Sequence, residues 1–229
     1  MKFNKKSGEL KERPRLVVNN EANSATSEQF RSIRTNLKFA VVDKDLQTIV
    51  VTSATPSSGK STISANLAAT FASGDKKVLL VDADLRKPTV HTTFNLSNQY
   101  GLTTLLSDRE SGLNSFVQSS QINGLYVLTS GIIPPNPSEL LASKKMSELL
   151  YEMKSYYDLI IFDTPPVLSV TDSQILASET DGVILVIPMG QVKSDEVFKA
   201  KTSLEMVKST ILGAIMNRVE LNQDTYYYS

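Results

Sequence analysis

Thr48-Ile49-Val50-Val51-Thr52-Ser53-Ala54-Thr55-Pro56-Ser57-Ser58-Gly59-Lys60-Ser61-Thr62 decides how this chain folds. Its first five residues are β-branched and read as a strand buried on both faces. After Ser53, Ala54 to Ser61 follow the pattern G-x-x-x-x-G-K-[ST], with Ala54 in place of the first glycine, and a helix is expected to begin inside them. Gly59 allows the backbone N–H groups to turn around a phosphate, and the helix start adds the positive end of a dipole. Lys60 supplies a point charge for β- and γ-phosphate oxygens, and the Ser61 hydroxyl suits Mg²⁺. Ser57, Ser58, Gly59, Lys60, Ser61 and Thr62 are therefore the expected nucleotide-binding residues.

Working outward, further apolar, β-rich runs alternate with helical patterns: Val78 to Val81, Leu125 to Thr129, Leu159 to Phe162, Val183 to Ile187 and Ile211 to Met216. Continuous apolar strands separated by helices predict a single α/β domain, a P-loop NTPase fold with a mostly parallel central sheet and helices on both faces. Residues 1–23 are polar apart from Leu16-Val17-Val18 and read as an N-terminal arm. The domain is expected over 24–219, and residues 220–229 form a tyrosine-rich tail. Thr26 and Gln29 have capping-box spacing and open a predicted helix running to about Val42. Its apolar face is Phe30, Ile33, Leu37 and Val41, with Glu28, Arg31, Arg34 and Lys38 on the flank.

Two of the strands end in acid. Asp82-Ala83-Asp84-Leu85-Arg86 follows Val78 to Val81, and Asp163-Thr164-Pro165-Pro166 follows Leu159 to Phe162. Parallel strands end on one edge, so both groups are expected to face the phosphate loop. Asp163 is the expected Mg²⁺ partner, acting through water or from just outside the ion's own ligands. Asp82 or Asp84 could hold metal-bound water or accept the proton of an incoming hydroxyl, and spacing alone does not choose between them. Arg86 could anchor this loop or touch phosphate. Asn217 and Arg218 close the last strand, where they either border the base of a nucleotide or make a simple polar strand end. His91 reads as an ordinary loop histidine.

Composition sets bounds. The chain has 229 residues, enough for one full-sized domain. Lys plus Arg and Asp plus Glu both total 24, so charge does not point to nucleic acid. There is no cysteine and one histidine, which excludes disulfides and multi-histidine metal sites. No run approaches the roughly 18 apolar residues of a membrane helix, and the basic N-terminus lacks the apolar stretch of a secretion signal. The sequence predicts a cytoplasmic protein whose membrane association comes through a partner.

With these motifs assembled, the sequence resembles the bacterial tyrosine kinases (BY-kinases), in the cytoplasmic form found in Gram-positive capsule and exopolysaccharide systems. The resemblance rests on the loop Ala54 to Thr62, the Asp82-x-Asp84-x-Arg86 motif, Asp163, the E-x-x-R-x-x-R helix motif at Glu28, Arg31 and Arg34, and the terminal Tyr226, Tyr227 and Tyr228. Pro134 to Leu141 is also similar. The family commonly has glycine and an acidic residue where Ser57 and Ser58 stand. The resemblance implies ATP and Mg²⁺ as cofactors, with Lys60, Asp82, Asp84 and Arg86 as catalytic residues and Ser61, Asp82 and Asp163 at the metal. It implies autophosphorylation in trans at the tail tyrosines and a ring-shaped homo-oligomer with Glu28, Arg31 and Arg34 at the interface. It further implies a membrane adaptor of the polysaccharide co-polymerase type, an opposing protein-tyrosine phosphatase, other protein substrates, and control of capsule or exopolysaccharide synthesis.

The residues support part of this independently. About ten residues beyond the last strand span roughly 35 Å if extended, which suits delivery of a tyrosine to a neighbouring subunit. Two rivals stand beside the kinase: a partitioning-type ATPase, which usually carries lysine where Thr55 stands and lacks the tyrosine tail, and an ATP-gated assembly partner without kinase activity.

Overall fold

The computed structural model describes residues 16–21, 23–40, 46–74, 76–108 and 112–219. The tail tyrosines Tyr226, Tyr227 and Tyr228, most of the expected arm, and Val41 on the first helical face lie outside the described residues.

The chain runs α1 (Val17–Asn20), α2 (Ala25–Ala40), β1 (Thr48–Ser53), α3 (Lys60–Ala72), β2 (Val78–Asp82), α4 (Val90–Phe94) and α5 (Leu102–Ser107). It continues through β3 (Gln118–Ser119), β4 (Leu125–Leu128), α6 (Pro137–Leu141), α7 (Lys144–Tyr156), β5 (Leu159–Asp163), α8 (Asp172–Glu179), β6 (Gly182–Pro188), α9 (Ser194–Met206) and β7 (Ile211–Asn217). Among the described residues the strands form one sheet in the order β3-β4-β2-β5-β1-β6-β7. Every pairing is parallel except β3 with β4.

Strict alternation in the central strands divides the core between two faces. Val50, Leu79, Val81, Ile160, Phe162, Val183 and Leu185 point to the side covered by α7, α8 and α9. Ile49, Val51, Val78, Leu80, Ile161, Ile184 and Val186 point to the side of α2 and α3. Both faces need cover, which is why these strands read as unbroken apolar runs. Removing a ring such as fully buried Phe162 would cost about 3–5 kcal/mol.

α3 is buried from Ile63 to Ala72, because α2 lies over it while it lies over the sheet. That burial explains its many small residues and its lack of an exposed charged face after Lys60. The start of α2 differs from the sequence expectation: the Ser27 amide donates to Ser24 Oγ at 3.2 Å, so Ser24, not Thr26, caps the helix. The two-residue, antiparallel β3 was not anticipated either, being too short to leave a periodic signal. Among the described residues, no helix is long and apolar enough to cross a membrane.

Candidate active site

The phosphate loop is braced from the end of β7. Asn217 Nδ2 donates to the Ser58 carbonyl at 2.9 Å, and Arg218 Nη2 donates to the Ser57 carbonyl at 2.8 Å. From within the loop, Ser53 Oγ and Ser58 Oγ both donate to the Thr55 carbonyl, at 2.8 and 2.7 Å. Gly59 sits at φ +84°, and a Cβ there would lie 2.2 Å from Asn217 Nδ2. Glycine is thus required twice over, for the left-handed backbone and for the close approach of Asn217. The Ile63 amide already bonds the Gly59 carbonyl, and the earlier amides of α3 have no intrahelical acceptor, which makes this turn an anion cradle.

The acids arrive as the strand order dictates. Asp82 and Asp163 are paired residues in the β2–β5 register, and both side chains are fully buried. Asp82 Oδ2 accepts from the Thr89 and Val90 amides at 3.1 and 3.0 Å, and Asp163 Oδ1 accepts from Ser64 Oγ at 3.1 Å. Among the described residues, Asp82 Oδ1 and Asp163 Oδ2 are buried without a hydrogen-bond partner. Burial, with Asp163 close by, pushes the Asp82 carboxyl well above the usual carboxylate range. Burial raises Asp163 too, against the pull of Lys60 and Ser61.

Lys60 Nζ donates to Asp84 Oδ2 at 3.0 Å, and the Lys87 amide donates to Asp84 Oδ1 at 3.0 Å. Burial pulls the Lys60 pKa down, but Asp163, Asp84 and Asp82 together more than reverse it. The site therefore gathers three carboxylates around one ammonium. Among the described residues, no three of His, Cys, Asp and Glu are arranged to hold a metal by themselves. Two carboxylates with orphaned oxygens beside the Ser61 hydroxyl do fit magnesium, which takes its remaining ligands from water and phosphate.

Arg86 takes the anchor position of the two that its sequence allowed. Its Nε donates to Asp172 Oδ2 at 2.9 Å and its Nη2 to Asp172 Oδ1 at 3.1 Å. The three members of the E-x-x-R-x-x-R motif divide: Glu28 and Arg31 pair with each other, while Arg34 Nη1 donates to the Thr70 carbonyl in the last turn of α3 at 2.7 Å. Burial lowers the pKa of His91. Sequence reasoning missed Asp172, Ser138 and Ser64, and it missed the bracing job of Asn217 and Arg218. Ser138 falls within the Pro134 to Leu141 stretch, but a buried Asp172 nine residues past Asp163 carries no local mark. A groove of about 730 Å³ between α2 and β7, lined in part by Glu28, Gln29, Thr62, Asn217 and Arg218, adjoins the loop.

A strand, a phosphate loop opening a helix, and acids on neighbouring strand ends define a P-loop nucleotide-binding protein. The AAA domain model matches residues 46–217. Tyrosine-protein kinase YwqD of Bacillus subtilis (strain 168) is 52% identical over 212 residues, covering 93% of this chain and 89% of that protein. The putative tyrosine-protein kinase CapB of Staphylococcus aureus is 38% identical, covering 93% of each chain. The crystal structure of the chimerical protein CapA2B2 superposes with a TM-score of 0.87 at 44% identity, covering 90% of each chain. The chain belongs to the bacterial tyrosine-protein kinase family, within the AAA domain fold.

Proposed function

We propose that this chain transfers the γ-phosphoryl group of ATP to tyrosine, on its own tail in trans and on other proteins, and so regulates capsular or exopolysaccharide synthesis. The observation that carries the reading is the convergence of Lys60, Asp82, Asp84 and Asp163 beside the loop, in a chain half identical to a protein named as a tyrosine kinase.

The residues divide the work by burial. The loop from Ser57 to Thr62 holds the triphosphate, and Asn217 and Arg218 fix its shape while bordering the groove in which the base sits. Ser61, Asp82 and Asp163 would hold magnesium. When bound there, such an ion would supply positive charge to offset that of the phosphates. Asp84, nearer the surface and paired with Lys60, is the better candidate for the base. As Lys60 turns to the phosphates, the freed Asp84 carboxylate takes the proton of the tyrosine hydroxyl. The phenolic oxygen bonds to the γ-phosphorus, the bond from that phosphorus to the bridging oxygen breaks, and ADP departs. A phenol with pKa near 10 needs such a base at neutral pH.

Residues 220–229 supply Tyr226, Tyr227 and Tyr228 as acceptors, the domain proper spans 24–219, and residues 1–23 are the arm. Glu28 and Arg31 serve the interface of a ring-shaped homo-oligomer. A membrane adaptor of the polysaccharide co-polymerase type recruits the cytoplasmic kinase to the membrane, a reading supported by the CapA2B2 chimera among the similar structures, and a protein-tyrosine phosphatase resets it. The test is incubation of the full chain with labelled ATP and Mg²⁺, alongside Lys60→Met and a variant with all three tail tyrosines changed to phenylalanine. Phosphotyrosine lost in both variants supports the reading; free phosphate without phosphotyrosine points to a partitioning-type ATPase, and neither product to an ATP-gated assembly partner.

A further inference from the structure

The first turn of α8 holds two adjacent, fully buried polar side chains, Asp172 and Ser173, and they reach the two different acidic strand ends. Asp172 takes both nitrogens of the Arg86 fork, two residues beyond Asp84. Ser138 of α6 closes a triangle, its Oγ donating to Asp172 Oδ1 at 2.6 Å while accepting from Arg86 Nη2 at 3.0 Å. Ser173 Oγ donates to the Pro165 carbonyl, two residues beyond Asp163, and Thr52 Oγ1 of β1 donates to the same carbonyl at 2.8 Å. Three segments that follow three different strands therefore meet at one point, one residue pair wide.

We infer that Asp172 is a positioning residue for phosphoryl transfer: through Arg86, and with Ser138 as its third support, it sets where the Asp84 carboxylate stands relative to Asp163 and the phosphate loop. Asp84 depends on this support because, among the described residues, its hydrogen bonds are to the Lys60 ammonium, which phosphate competes for, and to the Lys87 amide. Once Lys60 engages phosphate, Lys87 and the Arg86 fork are what keep the Asp84 turn in register. A bidentate Arg–carboxylate pair fixes orientation as well as distance, and Asp172 additionally sits in the first turn of its helix, where negative charge is favoured. The Pro134 to Leu141 stretch thereby acquires a task that its sequence does not announce: Pro137 starts α6, and the short helix carries Ser138 to the triangle.

This inference rests on the kinase reading, and its test separates the two. Nucleotide binding and steady-state phosphotyrosine formation are measured on the full chain carrying Asp172→Asn, Arg86→Lys or Ser138→Ala. Asp172→Asn should bind ADP at full stoichiometry with its Kd within about threefold, while kcat falls about 10- to 100-fold. Arg86→Lys, which keeps the charge and loses the fork, should fall between it and the parent. Ser138→Ala, which removes one support and keeps the ion pair, should lose about threefold in kcat and decides the matter if Asp172→Asn does not fold. An unchanged kcat in the folded variants overturns the inference, as does a loss of kcat that only tracks the loss of binding-competent protein. A parent chain that makes no phosphotyrosine refutes the kinase reading instead, and the same split is then read on its ATP hydrolysis.

Discussion

Asp82 and Asp163 stand side by side at the ends of β2 and β5, each fully buried and each with one carboxylate oxygen that has no hydrogen-bond partner among the described residues. Two buried like charges are costly to keep ionised. On the proposed function, a bound cation would supply the missing positive charge.

Neutralising either acid should therefore separate stability from activity. Asp82→Asn or Asp163→Asn should stabilise the nucleotide-free protein by about 1–2 kcal/mol, read as a higher Tm in EDTA. The same variants should lose about 100-fold or more in phosphotyrosine formation. A lower Tm in EDTA for both would show that the buried pair is not strained.

The pH dependence follows with a definite sign. Asp82 and Asp163 have raised pKa values, so the folded protein binds more protons than the unfolded chain above the ordinary carboxylate pKa of about 4. Stability of the metal-free protein should fall as pH rises from about 4 toward 8. Lys60, also raised, loses its contribution only above its ordinary pKa of about 10.4, outside that window. Asp181 acts oppositely. Burial raises it, but bonds from Thr48 and Gln47 and the nearby Lys154 outweigh this and hold it low. Its contribution disappears only as pH falls below about 4. Mg²⁺ and ADP should flatten the decline between pH 5 and 8, measured as Tm against pH with and without them.

At Gly59, alanine would meet Asn217 Nδ2 at 2.2 Å in a left-handed backbone. Gly59→Ala should cost about 1–3 kcal/mol and weaken ADP binding about tenfold or more. Asn217→Ala removes the obstacle and the brace together, so the double variant should be less destabilised than the sum of the singles. Calorimetric Kd values and denaturant midpoints for the four proteins test this; strict additivity would refute the coupling.

The helix motif should split in the same way as its contacts. Arg34→Ala breaks the bond to the Thr70 carbonyl at the C-terminal turn of α3 and should cost about 1 kcal/mol. Glu28→Ala should leave Tm nearly unchanged, as expected of an exposed ion-pair member, and both Glu28→Ala and Arg31→Ala should lower the assembly mass measured by light scattering. Equal masses for the parent, Glu28→Ala and Arg31→Ala would remove those two residues from the interface.

The strands were readable because each one, buried on both faces, leaves a continuous apolar run such as Leu159 to Phe162. The loop was readable because phosphate binding constrains consecutive residues, Gly59, Lys60 and Ser61. β3 was not, since two residues have no period, and the α2 cap fell two residues early because Ser24, Thr26 and Ser27 are chemically interchangeable as signals.

Sequence by itself determined the parallel α/β fold, the phosphate loop, and the edge on which the acids gather, since all three are written in short contiguous patterns. Only the tertiary structure decided what lies across the chain: that Asn217 braces Ser58, that Arg34 belongs to α3, and that Arg86 answers to Asp172 and Ser138. Those partners are 159, 36, 86 and 52 residues apart. Separations of that size are closed by the order of strands in the sheet, and no local spacing records them.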